Sequence, residues 1–257
     1  MKEKPVISIN NLFFGYRHEY NVISNVNCTI PANTFTVIMG KNGSGKSTFL
    51  RLIGGIIPYH YGSIKINNLE LHEMKLRERA KMVGFLPQHH KPVFPFKVSE
   101  VILTGRASYI QFSPKETDEY EAEKAMKLTG IFSLRNRVYS ELSGGEQQLV
   151  MITRLIAQQP KILLLDEPIS HLDYHNQIRI LKIIRELVTN NITVIAVLHD
   201  PNMAYLYGDR FIYVHENQVH EVNNRKAWEH KLADKIFDNN LLPIEHEGKF
   251  VFIPQKL

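Results

Sequence analysis

The chain has 257 residues, of which 44% are hydrophobic and 22% are charged, a composition that predicts a globular protein of one large domain or two small ones. Its 31 basic and 26 acidic residues give a formal net charge of +5, a mild bias that permits an anionic partner such as a nucleotide or a membrane surface but does not require one. The single cysteine, Cys28, excludes an internal disulfide and a multi-cysteine metal cluster, and it suits a reducing compartment.

The sequence predicts no signal peptide and no membrane-spanning helix. The amino terminus reads MKEKPVISIN and contains no apolar signal segment. The strongest apolar runs are ILLL at 162–165 and ITVIAVL at 192–198, and both are shorter than the ~20 residues that a membrane-spanning helix needs. We therefore expect a soluble or peripheral protein.

The first part of the chain alternates short β-type runs with turns. Strands are predicted at VISI, VNCTI and TFTVIM, and the last of these leads directly into GKNGSGKST at 40–48. FLRLIGG then reads as a helix closed by its two glycines, and the two asparagines of SIKINNLEL predict a hairpin turn. LRERAK and MVGFLPQ predict a helix followed by a strand that ends near Pro87 and Gln88.

The composition changes after Gln88, where HHKPVFPFK begins a mostly helical region, and we place a subdomain boundary there. In SPKETDEYEAEKAMKLTG we expect a helix with Ser113 as N-cap, Pro114 at its first position, Glu116 completing a capping box, and Gly130 ending it. The expected organisation is one domain over 1–257, with a catalytic core and β subdomain formed by 1–87 and 156–257 and a helical subdomain over 88–155.

From Lys161 onward, strand and helix signals alternate again. The pattern predicts the strand ILLL, a helix from about Asp173 to Thr189, the strand ITVIAVL, a short helix through Tyr207 and the strand RFIYV. Strands separated by helices indicate an α/β fold with a mostly parallel sheet covered on both faces.

The segment GKNGSGKS matches G-x-x-x-x-G-K-[ST] between a predicted strand and a predicted helix, which is the context that a phosphate-binding loop requires. Its glycines let backbone N–H groups turn toward phosphate oxygens. Lys46 would place an ammonium near the β and γ phosphates, and the Ser47 hydroxyl can bind Mg²⁺. The alternative, an ordinary strand-to-helix turn, is disfavoured by this context.

A second motif, KILLLDEP, delivers two carboxylates to the carboxyl end of a buried strand, where ligands bind in α/β sheets. Asp166 can hold the Mg²⁺ shell, and Glu167 is placed to orient or deprotonate an attacking water. A surface Asp-Glu pair at a strand end is common, so the prediction depends on the glycine loop as well.

The segment ELSGGEQQLV at 141–150 combines a capping box with an anion-binding helix start. Ser143 and Glu146 have S-x-x-E spacing ahead of an apolar helical run, and Glu146 is expected to fold back onto the Ser143 N–H. The N–H groups at this helix start also offer donors and a positive dipole end to an anion. The sequence thus contains two phosphate cradles, where one nucleotide needs one.

Three single residues fit a nucleotide site less securely. Gln88 can reach Mg²⁺ or water from its strand tip, or it is a plain polar loop residue. His199, after ITVIAVL, can donate to a γ phosphate or can be structural. Tyr16, in FFGYR, can stack on adenine or belong to the core.

Two histidine pairs raise the possibility of a second metal site. His171 and His175 have i, i+4 spacing, and His89 and His90 are adjacent. No third or fourth ligand stands near either pair at zinc-site spacing, so we do not expect zinc.

The motifs GKNGSGKST, Gln88, LSGGE, ILLLDEP, SHLD at 170–173 and VLHD occur in an order and spacing that resemble the ATP-binding-cassette (ABC) ATPases over nearly the whole chain. LSGGE resembles the family's signature loop, SHLD its D-loop, Gln88 its Q-loop, His199 its switch histidine and Tyr16 its adenine-stacking residue. The resemblance implies the P-loop ABC ATPase fold, with a mostly parallel core sheet, an antiparallel β subdomain and an inserted helical subdomain.

The resemblance also implies a site shared by two copies of the chain, which pair head to tail around two ATP molecules with Mg²⁺. Catalysis would involve Glu167, His199 and Gln88, and the metal would be bound by Ser47, Gln88 and Asp166. The nucleotide-binding residues implied are Tyr16, Gly40, Lys41, Asn42, Gly43, Ser44, Gly45, Lys46, Ser47 and Thr48 of one copy, and Ser143, Gly144, Gly145, Glu146 and Asp173 of the other.

VSEVILTGRASYI at 98–110, EPISHLD and HDPNMAYLYGDRFIYVHENQV resemble the ATPase subunits of importers for iron chelates, haem and cobalamin. This implies separate integral-membrane permease subunits, an external binding protein, a location on the cytoplasmic face of the membrane and no nucleic-acid partner. The permease would dock near 88–105.

Two departures from the family are visible, because Glu146 stands where Gln is commoner and HDPN replaces HDLN, so that Pro201 can alter the start of the next helix. A zinc or manganese importer is the nearest alternative within transport. A soluble repair or translation ATPase would need a coiled-coil insertion or tandem cassettes, and a P-loop kinase or GTPase leaves LSGGE and SHLD unexplained.

Overall fold

The computed structural model describes residues 5–17, 21–88, 95–222, 241–246 and 249–254. The strands are β1 Pro5–Phe14, β2 Ile23–Pro31, β3 Phe35–Met39, β4 Tyr61–Ile66, β5 Leu69–Glu70, β6 Val83–Leu86, β7 Ile162–Asp166, β8 Thr193–Val197, β9 Arg210–His215, β10 Gln218–Val222, β11 Leu241–His246 and β12 Lys249–Pro254. The α-helices are α1 Lys46–Ile53, α2 Leu76–Met82, α3 Val98–Leu103, α4 Glu116–Leu128, α5 Gly144–Ala157, α6 Tyr174–Thr189 and α7 Pro201–Tyr207.

The chain forms two compact units, one made of Met1–Glu73 with Thr193–Leu257 and the other of Met74–Ile192. The helical subdomain expected over 88–155 lies within the second unit, whose bounds are wider at both ends. None of the helices in the described part of the chain is long and apolar enough to cross a membrane.

The first unit contains a parallel set of strands in which β3 pairs with β8 on one side and β9 on the other, and β10 pairs antiparallel to β9. All five residues of β3 and all five of β8 are buried. Parallel strands covered on both faces read as continuous apolar runs rather than alternating ones, which is how TFTVIM and ITVIAVL appear in the sequence. These two strand predictions are confirmed.

The same unit carries an antiparallel sheet in the order β2-β1-β4-β5. Asn67 and Asn68 have φ of 50° and 67° and join β4 to β5, so the predicted hairpin turn is confirmed. Asparagine tolerates this left-handed conformation better than other residues with a Cβ, which explains the pair at this position.

The second unit pairs β6 with β7 in parallel register and carries α2 to α6. Arg106, buried in the segment after α3, ties the helices of this unit together. Its Nε donates to Asp118 Oδ1 at 3.1 Å, its Nη1 donates to the carbonyl of Ala157 at 3.0 Å, and its guanidinium stacks 3.8 Å from the ring centroid of Tyr109. A buried charge is tolerated when it is paired and hydrogen-bonded in this way.

The start of α4 differs from the prediction. The helix begins at Glu116 with Lys115 as N-cap, and the Lys115 N–H donates to Asp118 Oδ2 at 3.1 Å, so the expected Ser113–Glu116 capping box is wrong. The end of the helix is confirmed, because Gly130 follows the C-cap with φ of 70°.

The strands predicted at VISI and VNCTI are longer in the structure, as β1 and β2, and the other predicted elements agree closely with the structure. They are the helix closed by Gly54, the helix–strand pair over 76–86, and the strands and helices between 162 and 215. Pro201 does not disturb α7, because it occupies the first helical turn while Asp200 caps the helix by accepting from Asn202 N at 2.7 Å and Met203 N at 3.1 Å.

Candidate functional site

In the first unit, the loop between β3 and α1 has a backbone that depends on glycine. Gly40, Gly43 and Gly45 have φ of 144°, 78° and 101°, which residues with a Cβ rarely adopt. A Cβ on Gly40 would lie 2.3 Å from the carbonyl oxygen of Val214, and one on Gly45 would lie 2.9 Å from Val22 Cγ1. The loop therefore holds its shape only with the glycines that the phosphate-loop motif specifies.

Two polar side chains of this loop, those of Ser44 and Lys46, are directed inward. Lys46 is 5% exposed, and its ammonium donates to the carbonyls of Gly40 at 2.9 Å and Lys41 at 2.7 Å. Ser44 Oγ is buried and makes no hydrogen bond within the described residues. Because buried hydroxyls are usually satisfied, this oxygen and the first N–H groups of α1 fit a phosphate group held in the loop.

Tyr16 lies directly beside the loop. Its hydroxyl is 3.2 Å from Thr48 Oγ1, in α1, and its ring stands edge-on to Phe14 with centroids 5.0 Å apart. Tyr16 is 61% exposed and lines a cleft of about 580 Å³ with Phe13, Arg17 and Tyr61 among its other walls. An exposed ring fixed next to a phosphate loop can stack on a nucleobase.

His199 leaves the same sheet edge as the glycine loop. In the parallel pairing of β3 with β8, Ile38 is opposite Val197, and the Leu198 N–H donates to the Ile38 carbonyl at 3.2 Å. Gly40 and His199 each follow two residues later, and His199 is exposed. The first unit thus brings together the loop, Tyr16 and His199.

In the second unit, β7 ends in the two predicted carboxylates. Asp166 is fully buried at the end of a strand whose five residues are all buried. Glu167 has φ of 55°, a left-handed conformation that is uncommon for a residue with a Cβ, and its Oε2 accepts a hydrogen bond from Ser170 Oγ at 2.9 Å. Backbone strain of this kind is concentrated at functional sites, which supports the functional reading of Glu167.

Gln88 is placed at the same strand edge of the second unit. The pairing of β6 with β7 sets Leu86 opposite Leu165, so Gln88 and Glu167 each lie two residues beyond that pair. Gln88 is exposed. The adjacent His89 and His90 lie outside the described residues.

The signature segment has the capping box that the sequence predicts. Ser143 caps α5, its Oγ accepts from the Glu146 N–H at 3.4 Å, and Glu146 Oε2 accepts from the Ser143 N–H at 2.9 Å. The Ser143 hydroxyl also donates to Glu146 Oε2 at 2.8 Å, and Arg137 Nη1 lies 3.7 Å from Glu146 Oε1. The Ser143 N–H, the Ser143 hydroxyl and Arg137 together lower the pKa of Glu146, so this carboxylate is ionised at neutral pH.

The D-loop residue Asp173 is the N-cap of α6. Its two carboxylate oxygens accept from the backbone N–H and the side-chain amide of Asn176, both at 2.8 Å, and these bonds lower the pKa of Asp173. Asn176 also contacts the signature loop, since a Cβ on Gly145 would lie 2.6 Å from Asn176 Nδ2. The second unit therefore brings Asp173 next to the signature glycines.

Two residues that sequence reasoning missed connect the parts of the second unit. Asn176 joins Gly145 to Asp173, and Gln148 Nε2 donates to the Pro168 carbonyl at 2.8 Å, which ties α5 to the segment after Glu167. Asn176 lies outside the motifs of the sequence, and Gln148 lies in ELSGGEQQLV without a predicted role. The local signal in this region is the S-x-x-E spacing of Ser143 and Glu146, and it predicts the cap of α5 rather than these two contacts.

The parallel strands, the strand–glycine loop–helix unit with an inward lysine, and the carboxylates at a buried strand end define a P-loop nucleotide-binding protein of the α/β class. The family model described as ABC transporter matches residues 23–170.

Curated relatives and solved structures agree with this class. The hemin import ATP-binding protein HmuV of Escherichia coli O157:H7 is 37% identical over 223 residues, which cover 83% of this chain and 84% of that protein. The petrobactin import ATP-binding protein FpuC of Bacillus anthracis is 30% identical over 256 residues, covering 98% and 94%. A structure described as an inward-facing conformation of a metal-chelate type ABC transporter superposes with a TM-score of 0.85 at 27% identity and 98% coverage of both chains.

A further structure, the ADP conformation of the ATP-binding cassette MJ1267, has a TM-score of 0.81 at 25% identity and covers 91% of this chain and 98% of that one. The chain belongs to the ABC transporter family. The ATP-binding subunits of these transporters are ATPases, and the ABC ATPase fold that the sequence motifs implied is confirmed.

Proposed function

We propose that the chain is the ATP-hydrolysing subunit of an importer for an iron-siderophore, haem or cobalamin, acting at the cytoplasmic face of the membrane with separate permease subunits and, indirectly, an external binding protein. Relatives whose names specify hemin and petrobactin import support the iron-containing members of this set. The likeness to a metal-chelate type transporter supports the same choice.

The observation that carries the mechanism is the openness of the signature loop. Ser143 and Gly144 are exposed, and a Cβ on Gly144 would meet nothing within 4 Å. A helix start that presents N–H groups to open space attracts an anion, and the chain already has a phosphate loop for its own nucleotide. We therefore assign the signature loop of each copy to the γ phosphate of ATP bound by the other copy.

The roles proposed for the remaining residues follow from their chemistry. The Tyr16 ring stacks on adenine, the loop over 40–48 with Lys46 holds the phosphates, and His199 donates to the γ phosphate. Glu167 takes a proton from the attacking water, which typically contributes ~10²–10⁴ in rate. Hard oxygen ligands suit Mg²⁺, so the metal is assigned to Ser47, Gln88 and Asp166. Asp173 holds the D-loop at the proposed interface.

Replacing the proposed base tests the paired-site mechanism. We expect Glu167→Gln, which keeps the shape and the acceptor for Ser170 but removes the base, to accumulate as a dimer when ATP and Mg²⁺ are added. Size-exclusion chromatography with light scattering measures the dimer fraction. The control is Glu167→Gln combined with Lys46→Ala, which should remain monomeric because it binds the phosphates poorly. A Glu167→Gln chain that binds ATP and stays monomeric contradicts the mechanism.

A further inference from the structure

Glu146 accepts hydrogen bonds from the polar donors at the start of the signature loop. One of its carboxylate oxygens, Oε2, accepts from the Ser143 N–H at 2.9 Å and from the Ser143 hydroxyl at 2.8 Å. The hydroxyl has a single proton, so while it donates to Glu146 it cannot donate to another acceptor. The carboxylate therefore stands where the donors of the loop would meet an incoming anion.

A phosphate and this carboxylate compete for the same donors and repel each other. Both are anions, and the causes that lower the pKa of Glu146 keep it charged in the resting chain. For the Ser143 hydroxyl to turn toward a γ phosphate, the carboxylate must give up that bond. The carboxylate then keeps the Ser143 N–H, but its charge is costly close to a second anion unless a cation offsets it.

Arg137 is that cation. Its Nη1 lies 3.7 Å from the other carboxylate oxygen, Glu146 Oε1, a separation that allows a closer ion pair after a side-chain rotation. The side chains of Arg137 and Glu146 are 49% and 33% exposed, so both have room to move. The backbone of Arg137 is held in place, because its carbonyl accepts from the Val98 N–H at 3.0 Å and its own N–H donates to the Leu134 carbonyl at 2.9 Å.

We infer that the Glu146 carboxylate holds the Ser143 hydroxyl, and with it the signature loop, in a resting state. Arg137 is the positioning residue that pairs with this carboxylate when the γ phosphate of ATP bound by a partner copy takes over the hydroxyl. This inference rests on the proposed function, since it needs the signature loop to meet ATP across a pair of chains.

The test measures ATP-dependent pairing in the Glu167→Gln background, where turnover does not intervene. Adding Arg137→Gln should raise the ATP concentration needed for half-maximal dimer by at least about fivefold, because no cation then offsets the repulsion between the carboxylate and the phosphate. Adding Glu146→Gln should lower that concentration, because a neutral amide does not repel the phosphate. In a chain that also carries Glu146→Gln, adding Arg137→Gln should not change this ATP concentration. In the Glu167→Gln chain that keeps Glu146, Arg137→Lys should raise the ATP concentration much less than Arg137→Gln does.

The outcomes separate this inference from the proposed function. If Glu167→Gln alone does not pair with ATP, the proposed function is at fault. If Glu167→Gln does pair, the effect of Arg137→Gln should depend on Glu146. Equal weakening of pairing by Arg137→Gln in chains with Glu146 and in chains with Glu146→Gln would show that the inferred role of Glu146 is wrong. Thermal unfolding without nucleotide tests whether Glu146 has a merely structural role. Glu146→Gln should lower the melting temperature because it weakens the helix cap, and it should still strengthen ATP-dependent pairing. Loss of both stability and pairing would overturn the inference.

Discussion

Tyr16 shows how a single side chain can be read from its contacts. Its hydroxyl is tied to Thr48 in the helix that follows the phosphate loop, and the edge of its ring meets Phe14. Neither contact covers the ring completely, since Tyr16 is 61% exposed. The sequence left open whether this residue belongs to the core or to a nucleotide site, and its exposure rules out the core.

We predict that Tyr16→Ala weakens ATP binding about 5- to 150-fold, because stacking of a base on an aromatic ring is worth ~1–3 kcal/mol. Tyr16→Phe keeps the ring and loses only the hydroxyl, so its affinity should stay within about threefold of the unchanged chain. Titration calorimetry with a non-hydrolysable ATP analogue measures both. Equal losses for the two variants would mean that the Thr48 contact, and not the ring, supports binding.

At the scale of single residues, the sequence identified the residues of the motifs but not the residues that hold them in place. Lys46, Asp166 and Glu167 stand in short patterns whose chemistry is local, so they were predictable. Asn176 and Arg137 act through side-chain contacts with residues 31 and 9 positions away, Gly145 and Glu146. No spacing rule announces such contacts, because they depend on how separate elements pack.

At the scale of elements, the two S-x-x-E segments behave differently. Ser143 and Glu146 form the predicted cap of α5, whereas Ser113 and Glu116 do not cap α4. The physical reason is Asp118, whose carboxylate is fixed by Arg106 at 3.1 Å and accepts from the N–H of Lys115, so that the helix starts two residues later than expected. A distant buried cation thus sets the register of a helix start that local sequence alone places elsewhere.

We predict that Gly145→Ala destabilises the protein by about 1–3 kcal/mol, because the new methyl group would lie 2.6 Å from Asn176 Nδ2 and Asn176 is held by Asp173. The matched control is Gly144→Ala, whose methyl group would meet nothing within 4 Å and which should leave stability unchanged or raise it by up to about 1 kcal/mol. Urea denaturation followed by circular dichroism gives both values. A Gly145→Ala chain as stable as Gly144→Ala would show that Asn176 yields without cost.

At the scale of the whole molecule, the sequence predicted the elements well, whereas the grouping of elements into subdomains depends on packing. Buried parallel strands such as β3, β7 and β8 read as short apolar runs bounded by turns, which is a strong signal. The chain divides into its two compact units at Glu73 and Thr193, a property of packing that composition does not reveal. The composition change after Gln88 lies inside the second unit, and the helical subdomain over 88–155 stays a prediction.

Because each proposed site needs a glycine loop and the signature loop of another copy, activity should depend on protein concentration. We predict that the ATPase activity per chain of the isolated protein rises with concentration while the monomer dominates, since the active pair forms by mass action. A permease that holds two copies side by side replaces this encounter with a millimolar effective concentration, so activity in the reconstituted complex should be higher and insensitive to dilution.

Turnover measured from about 0.1 to 10 µM protein, with sedimentation at the same concentrations, tests this dependence. Lys46→Ala, which should be inactive throughout, excludes a contaminating ATPase. Equal activity per chain at every concentration, in a protein that sedimentation shows to be monomeric, would mean that one copy is a complete enzyme. The exposed signature loop would then need another role, because a second phosphate cradle has no use in a site that one chain completes.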